Sequence, residues 1–164
     1  MIIEPIIWRR AVREYSKEPV LEESVVDVVK AGQFAPTAHN LRLVEFIVVR
    51  EQAVKNGLFG ILEQEFIKKA PVIIVPVCDA KKAPLCRADI AVATAFMMIQ
   101  AAALGLGTVW KDVNEDQSKK AAKILGLPKN HILINMMPLG YPLNDLPDHT
   151  DAEFDPKKIH LENF

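Results

Sequence analysis

Residues 90–110 read IAVATAFMMIQAAALGLGTVW. The first part has no polar stripe: apolar residues fall on every side of a helix turning at 3.6 residues. Gly105 or Gly107 then supplies a stop, because glycine accepts the left-handed conformation that caps helices. Thr108 to Val113 follows as a strand candidate. The run approaches the length of about 20 residues that spans a bilayer. Yet it contains Thr94 and Gln100, and Arg87 and Asp89 stand directly before it. It therefore reads as the buried central helix of a domain, with no membrane role. A small domain rarely covers such a helix all round, so its lining predicts association with a second copy.

Working outward, β-branched Val44–Val49 reads as a strand. Val72–Val77, after Pro71, reads as a second, buried one. Pro76 lacks a ladder donor, which calls for an edge position or a bulge. Ile132–Tyr141 is a further strand. Residues 2–13 are expected to be helical from the spacing of Ile3, Ile6 and Ile7. A second helix is expected over 21–34, with acidic Glu22 and Glu23 in its first turn. Glu51–Lys69 is expected as a helix interrupted near Gly57 and Gly60. Glu115–Leu125 is amphipathic and ends at Gly126 and Pro128. Residues 142–164 read as an extended tail in which Phe154, Ile159, Leu161 and Phe164 are spaced anchors. Together these predict one layered domain over residues 1–164, α/β or α+β.

Half of the 164 residues are apolar and a quarter are charged, a globular composition. The net charge of −1 gives no global field for nucleic acid or acidic membranes. The two cysteines, Cys78 and Cys86, form no CxxC pair, and no zinc-ligand spacing is present. The N-terminus shows no basic region followed by an apolar run, so a reducing, cytoplasmic location is expected.

Three local features could carry chemistry. Arg9-Arg10-Ala11-Val12-Arg13 gathers guanidinium groups suited to phosphate or carboxylate if the segment is helical. On its own it reads first as a solvated basic face. Ala35-Pro36-Thr37-Ala38-His39-Asn40, running on to Arg42, is a polar loop between apolar elements, where binding groups are often displayed. Asn40 offers a donor and an acceptor to a heterocycle edge. Gly105-Leu106-Gly107-Thr108-Val109-Trp110-Lys111-Asp112 lets backbone approach a ligand, although alone it is a plain helix stop. No nucleophile signature is present, so a bound cofactor is the expected carrier of any reaction.

In order, these features resemble the nitroreductase family. Its RRSxRxF pattern is matched by Arg9–Tyr15, and APSxxNxQPWxF by Ala35–Phe46. The GLGTxW-like junction is matched by Gly105–Trp110, and two later turns by Leu125–Pro128 and Gly140–Pro142. The resemblance implies an α+β, three-layer fold, a mainly antiparallel central sheet flanked by helices, in an intertwined homodimer. The tail would wrap the partner. It implies FMN as cofactor, reduced by NADH or NADPH, and ping-pong hydride transfer to a nitroaromatic, quinone or similar small acceptor. Arg9, Arg10, Ala11 and Arg13 would lie around the flavin phosphate and the ring's polar edge. Pro36, Thr37, Ala38, Asn40 and Arg42 would come from the other subunit. Trp110, Lys111 and Asp112, with Val113, would run near the flavin N5.

The sequence departs from the family pattern in four places. Ala11 replaces a serine that bonds phosphate, a loss of about 1.5–3 kcal/mol for a bond to a charged group. Arg42-Leu43 replaces Gln-Pro, and Val113 replaces a frequent glycine. Glu153 stands where an arginine would hold the phosphate, and would repel it. These departures carry a second reading: a family-fold flavin- or ligand-binding protein with weakened or lost redox activity.

Overall fold

The buried strand β2 (Val72–Asp79) organises the molecule, and its alternation shows how. The structure, a computed structural model, describes residues 1–164. Val72 and Ile74 point into a core shared with α2 (Glu22–Phe34) and α5 (Cys86–Ala103). Ile73, Val75 and Val77 point to the other face, against α3 (Gln52–Leu62), α4 (Glu65–Lys69) and α6 (Glu115–Ile124). A strand covered on both faces reads as continuous apolar sequence, as this one does. The result is three layers, helices on either side of one sheet.

All ladders are antiparallel. β1 (Val44–Val49) pairs with β2, which pairs with β6 (Asn135–Gly140), which pairs with β3 (Gly107–Thr108). The short β4 (Lys111–Asp112) joins β6, and β5 (His131–Ile132) joins β2. Pro76 is in a central strand, but the strand opposite it carries a bulge. Four residues, 133–136, lie across from three, 75–77. The ladder is open where proline has no hydrogen to donate.

α5 ends as its glycine suggested. Gly105 takes φ +71°, the Gly105 amide bonds Ala102 O, and the Leu106 amide bonds Ala101 O at 2.8 Å. Those two bonds close a Schellman cap. One side of α5 is packed: Ile90, Ala93, Met97 and Ala101 are fully or nearly fully buried. The other side is open. Ala88, Ala95, Phe96 and Ala103 are exposed, with Val92 and Ile99 half-buried beside them. By length and composition the helix could span a membrane. Here it is fastened to the domain by polar bonds from Asp89 and Thr94.

Three expectations differ from the structure. The first helix, α1, covers only Glu4–Trp8, and Arg9–Arg13 is extended. The Val12 amide bonds Thr108 O at 2.9 Å, and Ala11 bridges Thr108 in parallel. The expected helix over 51–69 breaks at Glu63 (φ +52°), not at its glycines. Gly57 instead sits within α3, half-buried beside Ile124 of α6. The expected strand 108–113 is two short pieces, because Val109 is drawn into the α3/α4/α6 core.

Candidate functional site

The extended segment Arg9–Arg13 is held in place along its length. Val12 is buried against Gly107, and Tyr15 Oη donates to Val12 O at 2.8 Å. Burial pushes the Tyr15 phenol well above its ordinary value, so it remains a donor throughout the neutral range. Alternation then decides where the arginines point. Arg9, Ala11 and Arg13 share one face, with Ala11 and Arg13 exposed and Arg9 half-buried. Arg10 reaches into the tail, and Arg9 Nη2 lies 3.5 Å from His149 Nε2 of the same tail segment. The expectation of a helix face is thereby corrected: the segment is extended, Arg9 and Arg10 line one cleft, and Arg13 lies outside its lining.

Arg10 is fully engaged. Its Nε donates to Pro147 O at 2.6 Å, and Nη2 to Asp148 O at 2.9 Å. Nη2 and Nη1 also reach the two Glu153 oxygens at 2.9 and 3.3 Å. Glu153 has a second partner, His149 Nδ1, at 2.6 Å, and His149 Nε2 lies 3.0 Å from Arg9 O. His149 and then Arg10 hold the Glu153 carboxyl below its ordinary value. The His149 amide donates to Ile7 O, so backbone also ties the tail to α1. Glu153 therefore pairs with one of the arginines rather than simply repelling a phosphate.

The loop 36–42 lies elsewhere. The Ala38 amide donates to Asp89 Oδ1 at 2.8 Å, and Asp89 is a buried residue in the first turn of α5. His39, Asn40 and Arg42 all have φ near +53°, a left-handed run that asparagine tolerates best. Side chains stabilise it: Thr37 Oγ1 accepts the Arg42 amide, and Asn40 Oδ1 accepts Arg42 Nε, both at 2.9 Å. The Thr37 hydroxyl hydrogen and the Asn40 amide nitrogen stay available. Pro36 is exposed beside them.

Two open clefts match these two regions. One is lined by Trp8, Arg9, Arg10, Val12, Gly107 and Thr108, and bordered by tail residues from Pro142 to Asp148. The other is lined by Gln33, Phe34, Thr37, Arg42 and Val44. The loop is tied to Asp89 in the first turn of α5, whereas Met98, Ala102 and Gly105 line the arginine cleft. Nine to thirteen helical residues rise about 14–20 Å, so the loop and the arginines stand apart along the helix within one protomer. Lys111, near the arginine cleft in the chain, folds its Nζ onto Asp112 O (2.7 Å) and Oδ1 (3.2 Å). Trp110 is half-buried against the α2/α5 core, so packing engages much of its ring.

Reading residue types alone overlooked Asp89 and His149. Asp89 left one signal, a carboxylate inside an otherwise apolar helix. His149 left none, because its role depends on the tail meeting a segment 140 residues earlier.

Comparison with known proteins bears on the family and the fold. The model of the family described as "Nitroreductase family" matches residues 6–63 and 59–141. A protein of Methanothermobacter thermautotrophicus bearing an NADH dehydrogenase/NAD(P)H nitroreductase name is 32% identical, over 99% of this chain and 87% of its own. An FMN-dependent nitroreductase from Clostridium difficile superimposes with a TM-score of 0.93 at 28% identity, covering 99% of this chain and all of that one. The NADPH:FMN oxidoreductase of Vibrio harveyi, solved with NAD+, shares the fold with a TM-score of 0.86 at 21% identity.

Proposed function

This chain belongs to the nitroreductase family, and from that premise we propose that it is an FMN-dependent NAD(P)H oxidoreductase working as a homodimer. The supporting observation is geometric. Two half-sites stand apart along α5, with an exposed apolar face between them. A two-fold axis that pairs the α5 faces antiparallel brings one chain's loop to the other chain's arginines. The exposed Phe154, Ile159 and Leu161 of the tail are anchors for the same partner.

The residues present fit a phosphorylated flavin. Arg13 makes no side-chain hydrogen bond or ion pair within the chain, and Arg9 pairs with no carboxylate directly, its Nη2 lying 3.5 Å from His149 Nε2. Guanidinium forks suit phosphate and the anionic edge of a reduced heterocycle. When bound, FMN supplies hydride acceptance from NADH or NADPH and onward delivery to a small acceptor such as a nitroaromatic or quinone.

The protein's part is orientation and charge. Arg9 would hold the phosphate end, and Arg13 would lie toward the polar edge of the ring, where positive charge favours the reduced form. The partner's loop would contribute Pro36, Thr37, Ala38 and Asn40. Lys111, Asp112 and Val113 would offer backbone to the ring. The kinetics would be ping-pong, the oxidised nicotinamide leaving before a small acceptor binds. Both cysteines are unbridged and buried, in keeping with a reducing, cytoplasmic setting.

The test is spectroscopic. Purified protein titrated with FMN is expected to bind it and turn yellow, and anaerobic NADH or NADPH is expected to bleach the bound flavin. Protein that stays colourless with excess FMN contradicts the proposal. The Glu153–Arg10 pair favours, as second reading, a family-fold flavin- or ligand-binding protein with weakened or lost redox activity.

A further inference from the structure

The tail network gives Glu153 a defined influence on the cofactor, granted that the arginine cleft holds a flavin. A guanidinium has five N–H donors. Four of Arg10's are committed: one to Pro147 O, one to Asp148 O and two to Glu153. An arriving phosphate is left one donor at most. Glu153 also stands one imidazole ring from the Arg9 guanidinium, because His149 Nδ1 bonds Glu153 at 2.6 Å and His149 Nε2 lies 3.5 Å from Arg9 Nη2. That separation is within roughly one Debye length, about 8 Å at physiological salt, so the carboxylate offsets the field Arg9 presents. At the exposed centre of the same strand, Ala11 offers no hydroxyl.

We infer that Glu153 sets cofactor specificity: by neutralising Arg10 and screening Arg9, it lets the site accept a flavin lacking the phosphate nearly as well as FMN. The ligand class is the unphosphorylated isoalloxazine with its ribityl chain, of which riboflavin is the available probe. Arg13 and the partner's loop face the ring, which both flavins share, so recognition of the ring is untouched. Glu153 is a specificity residue acting through Arg10 and Arg9, not a catalytic one.

The experiment compares dissociation constants of FMN and riboflavin by calorimetry, for the wild-type protein, Glu153→Gln and Glu51→Gln. The last removes an equal charge from an exposed position at the start of α3. Wild-type protein is expected to favour FMN by less than about tenfold, the size of one 1.4 kcal/mol contact. Glu153→Gln is expected to raise that preference about tenfold further, with riboflavin affinity unchanged, and Glu51→Gln to leave it alone. A strong FMN preference in the wild type, or no change in Glu153→Gln, overturns the inference while leaving the proposed flavin site standing. Binding of neither flavin overturns both. Should the variant fold poorly, the wild type decides alone. Its FMN-to-riboflavin ratio is expected to stay nearly flat from low to high salt, and a steep fall with salt overturns the inference.

Discussion

The side chain of Val12 rests directly on the backbone of Gly107. A Cβ on Gly107 would lie 2.5 Å from Val12 Cγ2 and 2.7 Å from Val12 Cβ. Neither is a flexible side-chain end, so a methyl group there has to move the arginine strand. Overpacking of this kind costs about 1–3 kcal/mol. Gly107→Ala is expected to lower the thermal midpoint and to weaken flavin binding together, measured by calorimetry and FMN titration. A stable variant with unchanged affinity contradicts the anchoring role.

Tyr15 secures the same strand from its other end. Tyr15→Phe removes the bond to Val12 O and is expected to cost about 0.5–1.5 kcal/mol. The variant also tests the alkaline limb of stability. The folded phenol is raised above its ordinary value of 10.0, so its contribution is complete below that pH and is lost as pH rises above it. Wild-type stability is expected to decline above about pH 10 more steeply than that of Tyr15→Phe. Equal slopes in denaturant titrations contradict this.

Asp89 fixes the loop that the proposed partner receives. Its carboxylate accepts the Ala38 amide within the first turn of α5, where the helix dipole also favours negative charge. Asp89→Ala is expected to cost about 1.5–3 kcal/mol, the range for hydrogen bonds to charged groups. Hydrogen exchange at Ala38 should accelerate while β2 stays protected. Slow exchange at Ala38 in the variant would dismiss Asp89 as the anchor.

Much of the fold was legible in sequence, for physical reasons that can be named. Val72–Val77 betrayed a doubly covered strand, and Gly105 the end of α5. Both signals are local. The helix expected over residues 2–13 failed because what straightens Arg9–Arg13 lies about a hundred residues away, in Gly107 and Thr108. The break at Glu63 left no signal, since a non-glycine residue took the left-handed turn while Gly57 and Gly60 stayed helical. The site was legible as a set of residues but not as a geometry. The Arg10–Glu153 pair spans 143 positions, and no local pattern reports it.

The two arginines left available should dominate affinity. Arg13→Ala is expected to weaken FMN binding by at least about tenfold, the loss of one charge-assisted bond. Lys120→Ala, on the exposed face of α6, should leave it unchanged. Equal affinities in fluorescence titrations would remove Arg13 from the site.

The central claim is that each flavin site is completed by two chains, and mixed dimers test it most directly. Arg13→Glu disables the arginine half-site, and Ala38→Trp obstructs the loop half-site. Each homodimer is expected to bind no FMN. A heterodimer of the two, co-expressed and isolated through different tags, retains one site with both halves intact, and is expected to bind about one FMN per dimer. A heterodimer as empty as its parents, or homodimers that still bind FMN, would contradict a site shared between subunits.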